Sequence, residues 1–162
     1  MALPFGGWSI DEKCFNWILS HLPDGSTILE FGSGVATGEL AKHYTMYSLE
    51  DNLGFVEKDY DTHYIYAPIY DGWYHKIIVK RNLPKNYDLI LIDGPQSEHR
   101  AGILSNASLI DWSKPVVIDD MQHGGILQIA VKIAEEFCKR PYEIIDGDES
   151  GTNENKKFMV IP

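Results

Sequence analysis

The chain has 162 residues, 44% of them hydrophobic, and a formal charge of −10 at pH 7. This length fits one domain whose core needs no disulfide or structural metal, and the acidic balance argues against a protein that tracks nucleic-acid phosphates. No apolar run is long enough to span a bilayer and residues 1–10 carry no basic leader pattern, which predicts a soluble, cytoplasmic protein with no membrane partner.

In chain order, Ser9-Ile10-Asp11-Glu12 reads as a capping box, followed by Phe15, Ile18, Leu19 and Leu22 at helical spacing. Cys14 falls in this helix and Cys138 in a later one, so both read as buried thiols. Pro23-Asp24-Gly25 stops the first helix, and residues 27–31 form an apolar strand buried on both faces. A helix over 35–44 and a strand over 46–49 follow, then a short helix over 52–58, a strand over 63–67 and an aromatic loop over 68–74. Residues 75–81 read as a strand or a loop element. The run 87–93 is the strongest core strand; 97–109 is helical, 115–119 is another strand and 126–139 an amphipathic helix. Residues 142–145 and 157–161 close the chain as an antiparallel pair around a polar loop, 146–155. Strands alternating with helices give an α/β fold: a doubly wound, mostly parallel, seven-stranded sheet in a single three-layer domain spanning 1–162.

The segment from Ile28 to Gly38 is the most informative. An apolar strand carries Glu30, a small-residue turn follows at Gly32-Ser33-Gly34, and a helix begins. Glycines let a backbone turn sharply and approach a ligand, and a helix start offers free N–H groups. Glu50 lies twenty residues beyond Glu30, at the end of the next strand. That is the spacing of a nucleoside-binding βαβ unit, in which an acid takes the ribose hydroxyls. Glu30, Glu50, Asp93 and Asp119, with Asp120 beside the last, fall near the ends of four core strands and so share one sheet edge. One such acid is explained by helix capping; four beside a glycine turn point to a ligand site.

With these residues the chain resembles the class I S-adenosylmethionine-dependent methyltransferases, from about Ser9 to the C-terminus. The matching pieces are L-E-F-G-S-G at 29–34, S-L-E-D at 48–51, Y-D-L-I-L-I-D-G-P at 87–95 and V-V-I-D-D at 116–120. The resemblance implies a Rossmann-like methyltransferase fold and S-adenosyl-L-methionine as cofactor. Gly32 and Gly34 would let the backbone pass the methionine part and the ribose. Glu30 would face the methionine ammonium, and Glu50 would hold the ribose hydroxyls. Ser33 and Asp51 would complete the cofactor-binding set, and Asp93 would lie beside the methyl-transfer centre. Ala36 departs from the family's frequent third glycine. A dinucleotide site fits less well, because counting G-x-G-x-x-G from Gly32 places Thr37 at the third glycine.

Asp93, Asp119 and Asp120 also resemble the Mg²⁺ ligands of the cation-dependent O-methyltransferases. A hard divalent cation would relieve repulsion among three carboxylates; the alternative is that Asp119 faces the cofactor pocket and Asp120 caps the next helix. His123 is a candidate base, with Asp93 and His99 as rivals. Arg100 would pair with an anionic substrate group or form a salt bridge on a helix face, and Tyr70 or Trp73 would stack on a base or pack as a lid. The expected reaction is methyl transfer to an oxygen of a small acceptor: a sugar, polyol or phenolic compound. The short chain leaves the acceptor pocket open, or completed by a second copy in a homo-oligomer. Two rival classes stand beside this one: a non-catalytic S-adenosylmethionine-binding module, and a lyase acting on the same cofactor.

Overall fold

The computed structural model describes residues 9–56, 58, 60–147 and 155–162; most of the expected polar loop lies outside them. Five strands run in parallel: β1 (Thr27–Phe31), β2 (Thr45–Glu50), β3 (His63–Tyr66), β6 (Leu89–Ile92) and β7 (Val116–Ile118). A small antiparallel hairpin, β4 (Ile69–Tyr70) and β5 (Trp73–Tyr74), stands apart from the main sheet. The chain ends in β8 (Glu143–Asp146) and β9 (Lys157–Ile161), and β9 is antiparallel to both β7 and β8. The sheet order is β3-β2-β1-β6-β7-β9-β8, so the winding reverses between β1 and β6. A crevice opens beyond the carboxyl ends of the strands at such a reversal.

Strand periodicity sorts the core into two layers. Ile28 and Met46 face α1 (Glu12–His21) and α2 (Val35–Leu40), against Cys14, Phe15, Ile18 and Leu40. Leu29, Phe31, Leu49 and Ile90 face the opposite way, toward α4 (Lys76–Asn82), α5 (Ser97–Arg100), α6 (Gly102–Ser105) and α7 (Gly124–Lys132). Between β2 and β3 lies the short α3 (Leu53–Val56). Among the described residues no helix is long and apolar enough to cross a membrane.

Several local expectations are corrected. Asp11, not Ser9, caps α1, its carboxylate accepting from the Cys14 N–H at 2.8 Å. Ser9 Oγ instead accepts from Ala36 N at 3.1 Å, which ties the segment before α1 to the start of α2. Residues 75–81 are neither strand nor loop: the apolar triplet Ile77-Ile78-Val79 belongs to α4, where only Val79 is buried. A half-exposed helix with β-branched residues mimics a strand in sequence. The helix expected over 97–109 is α5, α6 and a 3₁₀ turn at Ala107–Leu109. Its first break falls at Ala101, and Gly102, which opens α6, sits where a Cβ would come within 2.5 Å of Trp73 Cβ. The last helix begins at Gly124 rather than 126, and its final part, Ile133–Cys138, widens into π-helical turns.

Candidate functional site

The crevice is a cleft of about 600 Å³, within the range of small-molecule sites. Its walls are the loops after β1, β2, β6 and β7. The first loop turns at Gly32, whose φ of +84° is a conformation that L side chains rarely adopt. A Cβ there would also lie 2.7 Å from Gly94 Cα, so the loops after β1 and β6 touch backbone to backbone. Gly34 caps α2 in an extended conformation open to any residue.

Alternation along β1 and β2 places Glu30, Ser48 and Glu50 on one face, with Glu30 directly opposite Ser48. Glu30 is 3% exposed and does not line the cleft. Its carboxylate accepts from Thr37 Oγ1 at 2.9 Å and from Ser48 Oγ at 2.5 Å, behind the glycine loop. Burial pushes its pKa up to about 7 against the pull of those hydroxyls. Glu50 lies one step further along and does line the cleft. Its Oε2 accepts from Ser33 N at 2.9 Å and Ser33 Oγ at 2.5 Å, and its Oε1 from Asn52 N at 2.8 Å. Neutral donors therefore fix Glu50: Oε2 already takes two of them, and Oε1, which takes one, keeps acceptor capacity for a ligand hydroxyl. Ser33 and Asp51 line the same wall. So does Phe55 of α3, which offers an apolar surface beside Glu50 that the sequence reading did not single out.

The opposite wall carries Asp93 and Asp120. Oxygens of Asp93, Asp119 and Asp120 lie within 4.8 Å of one another. Asp119 is 1% exposed, and burial with the neighbouring Asp120 charge pushes its pKa up to about 7. Burial and the charges of Asp119 and Asp120 raise Asp93 likewise. Asp120 has φ +70°, a strained conformation for a residue with a side chain. Two cations answer the cluster. Arg100, 3% exposed, donates to Asp120 Oδ2 at 3.0 Å, Asp93 O at 2.8 Å and Pro95 O at 3.0 Å. Lys156 Nζ sits 3.7 Å from Asp119 Oδ2, beyond hydrogen-bond reach, and among the described residues that oxygen has no hydrogen-bond partner. Arg100 is thus a buried clamp on the loop after β6, where the sequence left open a substrate partner or a helix-face salt bridge.

His123 stands at the N-cap position of α7, without a capping hydrogen bond from its side chain, and lines the cleft. His99 is not among the lining residues; its ring lies 3.4 Å from Glu98. Trp73 is 1% exposed and packs on Phe31 with ring centroids 6.1 Å apart, so it is core and stacks on no ligand. Tyr70 is 67% exposed beside His75 and outside the cleft.

No protein-family model matches the chain, and no curated protein matches it in sequence. Solved structures match its fold. An O-methyltransferase from Bacillus cereus, in complex with SAH, superposes with a TM-score of 0.67 at 14% identity, over 96% of this chain and 83% of that one. A precorrin-6Y C5,15-methyltransferase from Geobacter metallireducens gives 0.58 at 16% identity, over 93% and 89%. An rRNA methylase from Streptococcus thermophilus gives 0.60 at 11% identity, over 92% and 93%. The chain has the fold of the class I S-adenosylmethionine-dependent methyltransferases.

Proposed function

We propose that the chain is an S-adenosylmethionine-dependent methyltransferase acting on an oxygen of a small acceptor. The observation that carries this reading is Glu50, held by Ser33 and Asn52 on the cleft wall with acceptor capacity left over. The residues fit the cofactor: Glu50 would take the ribose hydroxyls, the Gly32 turn would let the backbone approach, and Phe55 would offer apolar contact to the base. Glu30 would act from behind, holding the loop through Thr37 and meeting the ammonium only through an intervening group. When bound, S-adenosylmethionine would supply a methyl on a positive sulfur, the C–S bond breaking as the acceptor C–O bond forms and its electron pair staying on sulfur. The acceptor's proton must then go to a base.

His123 and Asp93 both line the cleft and are the candidates; His99 is the weaker one by position. The net charge of −10 supports a small acceptor, although the fold is shared with an rRNA methylase. A second reading adds Mg²⁺ at Asp93, Asp119 and Asp120. It is favoured by the converging oxygens and the unpartnered Asp119 Oδ2, and opposed by Arg100 and Lys156, which already neutralise part of the cluster. A cation there would lower the pKa of an acceptor hydroxyl.

The test is incubation with S-adenosylmethionine, with and without an acceptor panel, in Mg²⁺ or excess EDTA, read by mass spectrometry. S-adenosylhomocysteine formed only with an acceptor is the expected result. Cofactor cleavage without an acceptor would mean a lyase, and binding without turnover a module. Full activity in EDTA would remove the metal. His123→Ala should slow transfer by about 10²–10⁴ if His123 is the base.

A further inference from the structure

A second cavity, of about 490 Å³, continues from the cleft and shares Ser97, His123 and Ile126 with it. Its two walls are helical stripes. Ser97, Ala101 and Leu104 recur at the i, i+4, i+7 spacing of one face along α5–α6, and Gly125, Ile129 and Lys132 do so along α7. Between the shared mouth and Lys132 the stripes present mainly Ala101, Leu104 and Ile129, so the middle of the groove is apolar. At its far end stands Lys132, which makes no ion pair among the described residues. Seven residues of helix separate Gly125 from Lys132, about 10 Å at 1.5 Å per residue. Gly125 lines the inner end, and a Cβ there would meet nothing within 4 Å, so a side chain at this position has room to enter the groove.

We propose that this groove is a ligand subsite for a molecule with an apolar body and a terminal carboxylate or similar anion, received by Lys132. Its occupant is the outer part of the methyl acceptor, and that assignment rests on the methyltransferase reading of the cleft. The reacting end would lie at the mouth by His123, and the anionic end about 10 Å away. Lys132 is the one Lys, Arg, Asp or Glu lining the groove, and at the end of an apolar channel it favours an anion of this shape over neutral or cationic molecules.

The test uses 4-phenylbutyrate as probe, with 4-phenylbutanol and 4-phenylbutylamine as controls, titrated into the full chain and followed by amide resonances. Shifts are expected at 101–104 and 125–132, with the acid binding about fivefold more tightly than the alcohol at low salt, and the amine weakest. Lys132→Gln should abolish that preference. Gly125→Leu replaces a poor helix former by a good one and should fill the groove, abolishing probe binding while leaving the fold intact. Saturating S-adenosylhomocysteine should leave probe binding in place. Equal binding of acid and alcohol, a preference that survives Lys132→Gln, shifts elsewhere, or binding unaffected by Gly125→Leu would each overturn the subsite. Calorimetry with S-adenosylhomocysteine runs in parallel: its failure would remove the methyltransferase reading, whereas the probe titration decides the groove.

Discussion

The two walls of the cleft solve the same electrostatic problem in opposite ways. On the β1–β2 side, Glu30 and Glu50 are held by hydroxyls and backbone N–H groups, and no cation touches them in the described residues. On the β6–β7 side, three acids crowd together, and a buried arginine and a lysine partly compensate them. Neutral donors fix a carboxylate without spending its charge, which leaves a wall ready for a cationic or polyhydroxyl ligand. Buried cations hold a loop in place but leave the remaining charge to be met by a proton or a ligand. The first wall presents Glu50 fixed and open to a ligand, the second a crowded acid cluster, and each wall keeps one buried acid, Glu30 or Asp119, whose pKa burial raises to about 7.

Removing Arg100 should disturb this contrast most. Arg100→Ala leaves Asp120 and two backbone carbonyls without their donor, and breaking a buried pair in this way costs about 3–5 kcal/mol. Urea unfolding should show a loss of that order, and Arg100→Lys should not restore it, since one ammonium cannot span the three acceptors. A loss under about 1 kcal/mol would mean that the acids do not depend on the clamp.

Gly32→Ala tests the contact between the walls. The substitution strains a residue at φ +84° and pushes a methyl against Gly94, so a loss of about 1–3 kcal/mol is expected. It should also weaken S-adenosylhomocysteine binding, because the loop must shift. Unchanged stability would show that the two loops can separate freely.

Both walls should also respond to pH. Glu30 and Asp119 have folded pKa values of about 7, raised by burial from 4.5 and 3.8. Between the unfolded values and about 7 the folded state holds more protons than the unfolded one, so stability falls as pH rises through that window. The urea midpoint should therefore drop between about pH 5 and pH 8. Glu30→Gln should flatten part of the drop and Asp119→Asn another part. A midpoint that rises over this range would contradict the buried, proton-holding acids.

The sequence exposes the two walls unequally. Strands 27–31, 87–93 and 115–119 are legible because continuous apolar runs in a parallel sheet must be buried on both faces. The acid spacing from Glu30 to Glu50 is legible because a βαβ unit fixes it. The withdrawal of Glu30 behind the loop is not, since it depends on Ser48 lying opposite it and Thr37 one helix turn away, neither of which a linear motif contains. Arg100 likewise reads as any helical arginine until the loop after β6 folds back over it. Trp73 reads equally as a stacking ring or a packed lid in sequence; its contacts with Phe31 and Gly102 place it in the core. His75–Arg81 misled through its apolar triplet, because only tertiary packing selects Val79 as its buried position.

The central claim is that the β1–β2 wall holds the ribose of an S-adenosyl ligand through Glu50. Calorimetric titration of the wild-type chain and Glu50→Ala with S-adenosylhomocysteine tests it most directly. One ligand should bind per wild-type chain, and the variant should bind more weakly by about 1–3 kcal/mol, through loss of charge-assisted hydrogen bonds, with its thermal unfolding still cooperative. No binding by the wild type, or equal binding by a folded Glu50→Ala, would contradict the claim.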